Sequence, residues 1–315
     1  MFRISLIIWF QLKNDRGGRI NLDIIIEIGT EEQKELISKE LSIIKKISRD
    51  FNPPIPITQI IVPEDFERKV NDILGVEHYK SQRGGHLVIA KNVPTEDGII
   101  LLFSKELYTE LHDNQTRLQT YIHEFIHAFN KLRFPKISED PTAANIYFGI
   151  IYTLFDEYDA NRKSFKITEK VYPQLSHRYK SIHVLGLKRF VKIICDDSLH
   201  LKKLRKEIVK FKSHNNVDLF LDRTKDLVDE VSKSIIYIYS YLDCNYKLKK
   251  NKALLEKSYF INDKTIALID FFRLKYEKED NNLFDGRKII EDFMTNFGFR
   301  FEDTPKGIYF HILNI

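Results

Sequence analysis

The run Tyr121-Ile122-His123-Glu124-Phe125-Ile126-His127 holds the residues of this chain best spaced for chemistry. On an α-helix, side chains four apart sit one turn apart on the same face, so His123 and His127 can reach one Zn²⁺ ion together. Glu124 is rotated sideways by a single residue, which brings its carboxylate to a metal-bound water rather than to the metal. Hydrolysis by a zinc enzyme needs a general base placed in that way. The competing reading of the same residues is a pair of solvated surface histidines.

The elements around the run favour the metal reading. Asp113-Asn114 are suited to N-capping, and the chain then continues to Arg133, ahead of Phe134-Pro135, without glycine or proline. Leu118, Ile122, Phe125, Phe129 and Leu132 recur at steps of three and four and form a core-facing stripe. A second, narrow stripe carries Thr116, Thr120, His123, His127 and Asn130. Histidines on a polar seam beside a buried face are what a metal cleft requires.

A catalytic zinc takes three protein ligands and keeps one position open for water. A metzincin would supply the third from a histidine at position 133 after a glycine at 130, but the chain has Asn130 and Arg133, which excludes that class. The next histidine is His177. Among the acidic residues between, Glu139 and Asp140 precede Pro141 and read as loop and helix start. From about Pro141 to Ser164 the pattern is helical, and one largely apolar stripe runs Ile146, Ile150, Thr153 with Leu154, Glu157, then Ala160 with Asn161. Asp156 and Asp159 fall on wetter flanks, whereas a carboxylate on an apolar face needs a partner or a metal, which singles out Glu157. Its alternative occupation is an ordinary ion pair with Arg162 or Lys163 at the helix edge.

His123-Glu124-Phe125-Ile126-His127, followed about thirty residues later by Glu157-Tyr158-Asp159-Ala160-Asn161, resembles the gluzincin branch of the zincin metallopeptidases, and in its short spacing the small bacterial and phage minigluzincins of the ImmA/IrrE type. The likeness covers roughly residues 55 to 165. It implies His123, His127 and Glu157 as zinc ligands, Glu124 as the base, and peptide bonds of a protein substrate as the target. Tyr158, Arg162, His177 and His183 are candidates for stabilising the oxyanion. Two departures bear on biological role: Phe-Ile replaces a small, glycine-containing pair inside the motif, and no Leu-Met-Pro segment follows the second helix.

Gly85 to Ala90 and Ile99 to Phe103, around a turn at Pro94 to Gly98, read as a β-hairpin whose second strand is placed to be the substrate edge, unless protein covers it. Upstream, Ile4 to Gln11 and Ile20 to Ile28 flank Asn14 to Gly18 as a second hairpin. Thr30 and Gln33 form a capping box for a helix through Ser48, Ile55 to Val62 is a strand, and Pro63-Glu64-Asp65 opens a helix that Gly75 ends. Downstream, 184 to 213 and 217 to 245 read as long helices, although Tyr237, Tyr239 and Tyr241 alternate as a strand would. Ile266 to Tyr276 and Leu283 to Phe297 are further helices, with charge-rich Tyr276 to Asn282 as a flexible loop, and Phe299 to Glu302 with Ile308 to Leu313 closes the pattern as a hairpin.

The fold expected is therefore α+β: a zincin-like catalytic domain over 1–165, with a mixed sheet, an active-site helix and a glutamate-bearing helix, followed by a mainly helical domain over 166–315. With 43% hydrophobic residues the chain can build a sizeable core. The longest apolar tract, Ala144 to Phe155, falls short of a bilayer span, Ser5 to Phe10 is too short for a signal peptide, and two cysteines make no disulfide framework. Cytoplasmic residence, without membrane attachment, is the resulting expectation. Residues 161–213 carry fifteen Lys or Arg against four acidic residues, a surplus of +11 in a chain of net +5, which leaves −6 on the remainder. Such a stretch suits an acidic partner or nucleic acid, or is a solvated helical surface. The class set against a peptidase is a regulatory or binding module, for nucleic acid or protein, that keeps a zincin fold.

Overall fold

A computed structural model describes residues 22–49, 57–83, 86–109, 112–138, 140–171, 187–244 and 257–315. The chain is α+β and mostly helical, and it separates into two compact units: Met1–Leu132 with Ile167–Leu175, and Arg133–Lys166 with Ser176–Ile315. Most of the expected N-terminal hairpin, together with Gly85, Glu139, His177 and His183, lies outside the described residues.

The first unit is built on a four-stranded mixed sheet. Strands β1 (Asp23–Ile26), β2 (Ile57–Val62) and β6 (Gly98–Phe103) are mutually parallel, and β5 (Ala90–Thr95) runs antiparallel to β6, in the order β1-β2-β6-β5. A separate two-stranded ribbon pairs β3 (Gln82–Arg83) with β4 (His86–Leu87). Leu101, Leu102 and Phe103 are fully buried although consecutive residues point to opposite faces, so β6 is covered on both sides.

Helix α1 (Glu31–Arg49) opens with the expected capping box: the Thr30 amide donates to Gln33 Oε1 at 2.9 Å and the Gln33 amide to Thr30 Oγ1 at 3.4 Å. Helix α2 (Phe66–Leu74) begins at Asp65, whose carboxylate accepts from the Arg68 amide, and ends at Gly75, whose φ of 64° lies in the left-handed region.

The site hairpin differs from expectation. Its first strand is Ala90–Thr95 rather than Gly85 to Ala90, and Glu96-Asp97 alone form the turn. Pro94 does not end this strand, because β5 lies at the end of the described sheet, where a residue without an N–H is tolerated. The same order corrects the assignment of the substrate edge: β6 is paired on both sides, and the strands at the two ends of the described sheet are β1 and β5, of which β5 is the one beside β6.

Helix α3 (Asn114–Arg133) carries the histidines. Asp113 caps it, accepting from the Thr116 amide at 2.9 Å. Leu118, Ile122, Phe125 and Phe129 are buried as the stripe requires, while Leu132 at the end of the helix is 44% exposed. An Arg117–Glu40 fork, with N···O distances of 2.7 and 2.8 Å, ties α3 to α1, and the Tyr121 ring packs edge-on against Phe103 at 5.0 Å, tying α3 to β6.

The second unit holds most of helix α4 (Ala143–Val171), then a helical run over 187–195, α5 (Asp197–His214), α6 (Val217–Leu242), α7 (Asp263–Lys278), α8 (Arg287–Met294) and the hairpin β7 (Phe299–Thr304) with β8 (Gly307–Ile312). The expected helix over 184–213 is interrupted at Asp196, which stands at the N-cap position of a new start without a capping bond from its side chain. Asn215, at φ 49°, and Asn216, accepting from the Leu219 amide, make the turn between α5 and α6. Tyr237, Tyr239 and Tyr241 are helical. The 276–282 segment is not a free loop: α7 runs to Lys278, Lys275 pairs with Asp280 at 2.7 Å, and Tyr152 Oη donates to the Asn281 carbonyl. No helix among the described residues is long and apolar enough to cross a membrane.

Candidate metal centre

His123, Glu124 and His127 are all half-buried on α3, with their ligand atoms within 4.8 Å of one another; this is the metal-capable group of three found among the described residues. The two Nε2 atoms lie 2.8 Å apart, and the rings meet edge-on with centroids 4.4 Å apart. Two imidazole lone pairs this close repel unless a proton or a cation lies between them.

The donor set fits zinc. Two tetrahedral nitrogen ligands, each about 2.0–2.1 Å from Zn²⁺, stand roughly 3.3 Å apart. The imidazoles need to open by only about 0.5 Å to meet that spacing. The polar stripe holds at Thr116, Thr120, His123 and His127, all half-buried, and its last member, Asn130, is fully buried.

Glu124 has a neighbour that the motif does not announce. Asn92, on β5 and 6% exposed, donates through Nδ2 to the Glu124 backbone carbonyl at 3.0 Å and to Glu124 Oε2 at 2.5 Å. Asparagine is depleted in strands, so a buried one between Ala90 and Val93 is the signal that could have drawn notice.

Glu157 belongs to the second unit. There its Oε2 accepts from Tyr237 Oη at 3.0 Å and its Oε1 lies 3.3 Å from Lys233 Nζ. The basic partners considered from sequence are engaged elsewhere: Lys163 with Asp159 at 2.7 Å, and Arg162 over the Tyr276 ring at 3.9 Å. Asp159 does not sit on a wet flank. It is 3% exposed, and Lys163 one turn later neutralises it.

Two of the oxyanion candidates are occupied inside the second unit. Tyr158 is fully buried, donates to Asp243 Oδ2 at 2.5 Å and accepts from Arg162 Nη1 at 2.9 Å. Burial pushes its phenol well above the ordinary tyrosine value. Arg273 completes the cluster, its Nε and Nη2 both donating to the Asp243 carboxylate. Comparison with family models, with curated proteins and with solved structures found no match for this chain.

Proposed function

We propose that this protein is a zinc-dependent metallopeptidase of the gluzincin type, with a zincin-like catalytic unit, acting on a protein substrate. The observation that carries the reading is the convergence of His123, Glu124 and His127 on one half-buried helical seam. His123 and His127 hold the ion, and Glu157 is the third ligand proposed from the Glu157-x-x-Ala160-Asn161 pattern. When bound, Zn²⁺ polarises the scissile carbonyl and acidifies a water. Glu124 takes the proton of that water and passes it to the leaving amine. The open side of β5 accepts an extended segment of the substrate by backbone pairing, which tolerates many sequences.

Metal analysis and proteolysis test this reading together. Purified protein is expected to hold about one zinc per chain. Glu124→Gln keeps the zinc and loses hydrolysis, and His123→Ala loses both. A metal-free preparation that refuses added Zn²⁺ would sink the proposal.

A second reading rests on α5. Lys202, Lys203 and Lys206 are exposed on one side of this helix, together with Leu199 at 43% and Val209 at 67% exposure. That face is suited to the phosphate backbone of a nucleic acid, as a binding module would require.

A further inference from the structure

A carboxylate whose oxygen lies within 4.8 Å of both imidazole nitrogens is close enough to turn in and become a ligand. A general base has to stay off the ion, so something must hold Glu124 away from it. Helical position alone does not, because the side-chain torsions of glutamate allow its carboxylate to swing.

Asn92 supplies a constraint of this kind. Its amide nitrogen carries two hydrogens, and both are used on the same residue: one on the Glu124 carbonyl at 3.0 Å, the other on Glu124 Oε2 at 2.5 Å. The first bond fixes the strand against the helix backbone at the residue concerned. The second then sets the carboxylate relative to that fixed point. Neither serine, with one hydrogen, nor aspartate, with none, can make both bonds. Asn92 is 6% exposed, so water competes little for the pair. The residue sits on β5, the same strand that offers its open side, so base and strand edge are set by one element.

We infer that Asn92 is a positioning residue that withholds Glu124 from the metal and so decides whether the α3 group is a two-histidine site with a separate base or a three-ligand site without one. The inference rests on the zinc reading above and deepens it.

Cobalt substitution of the full-length protein reads the coordination shell directly. In the wild type, Glu124→Gln leaves the visible Co²⁺ bands unchanged, because Glu124 is not a ligand. Asn92→Ala shifts those bands and raises Zn²⁺ affinity by about tenfold, the low end of what second-shell changes do to metal binding. The double variant Asn92→Ala/Glu124→Gln returns both readings to the wild-type values. A purely structural role for Asn92 would not give that reversal. Should Asn92→Ala fail to give the wild-type circular dichroism spectrum, Asn92→Asp keeps the shape while replacing the donor with an acceptor, and the same band shift is expected. Unchanged bands in a Co²⁺-binding, folded Asn92 variant overturn the role of Asn92 alone, as do bands that move in Glu124→Gln by itself. A wild type that takes neither Zn²⁺ nor Co²⁺ overturns the zinc reading and this inference with it.

Discussion

Ionisation of the buried tyrosines can be followed one residue at a time. Burial raises the Tyr147 phenol to about 12 and drives Tyr121, Tyr158 and Tyr276 higher still, against about 10 in an unfolded chain. A group whose folded value is raised contributes stability that is fully present below its unfolded value and is lost as pH rises through the folded one. The denaturation midpoint in urea is therefore expected to be insensitive to these groups up to about pH 10 and to fall above it. Tyrosinate absorbance should show the buried Tyr121, Tyr147, Tyr158 and Tyr276 ionising only as ellipticity is lost. A single titration of all of them with ellipticity retained would contradict this account. The residue scale is also where sequence reading ran out. His123, Glu124 and His127 were legible because their spacing is local. Asn92 meets Glu124 across 32 positions, and Tyr237 meets Glu157 across 80, separations at which one sequence carries no pairing signal.

Elements were legible where a single residue type closes them. Thr30 with Gln33 and Asp65 are boundary signals whose side chains bond in the way their chemistry dictates, and Gly75 ends its helix through a left-handed φ. The break at Asp196 was hidden because aspartate is tolerated inside a helix. Pro94 reads as a turn residue, but an edge strand accommodates it, so the first strand of the hairpin runs on to Thr95. Packing between elements gives a sharper test at two glycines. A Cβ on Gly286 would stand 2.5 Å from Ile151 Cδ1 and 2.7 Å from the Phe271 ring, although its φ of −84° suits any residue. Gly286→Ala is expected to cost about 1–3 kcal/mol through overpacking. Gly149, inside α4, has nothing within 4 Å of a Cβ, so Gly149→Ala should gain about 0.5–1 kcal/mol. Urea unfolding of the two variants measures both, and equal midpoints would refute the packing argument.

Over the whole molecule, charge is the least even property. The +11 surplus of 161–213 against −6 elsewhere concentrates positive potential on a segment that includes α5. Glu207 is the acidic residue inside α5 after its first turn, and it is engaged by Lys210 at 2.6 Å and by Arg223 at 3.6 Å, which leaves Lys202, Lys203 and Lys206 facing solvent. If this face docks nucleic acid, mobility-shift affinity falls steeply with salt, and replacing the three lysines with glutamine lowers the logarithmic slope by about three. Binding that is absent at low salt assigns the lysines to solubility instead.

The start of α4 depends on a residue made much later. Thr142 caps Asn145, but the Ala143 amide is satisfied by Asp303 Oδ1 at 2.7 Å, 160 residues on, and Tyr147 Oη bridges the amide and carbonyl of Phe301. At translation rates of about 5–20 residues per second, roughly 10–30 s separate synthesis of this helix from arrival of its partner. During that interval the nascent chain leaves the Ala143 amide without Asp303 and exposes the apolar surface that β7 will cover. Elongation rate through 143–303 is thus a lever on the yield of folded protein, and on the time a chaperone has to act.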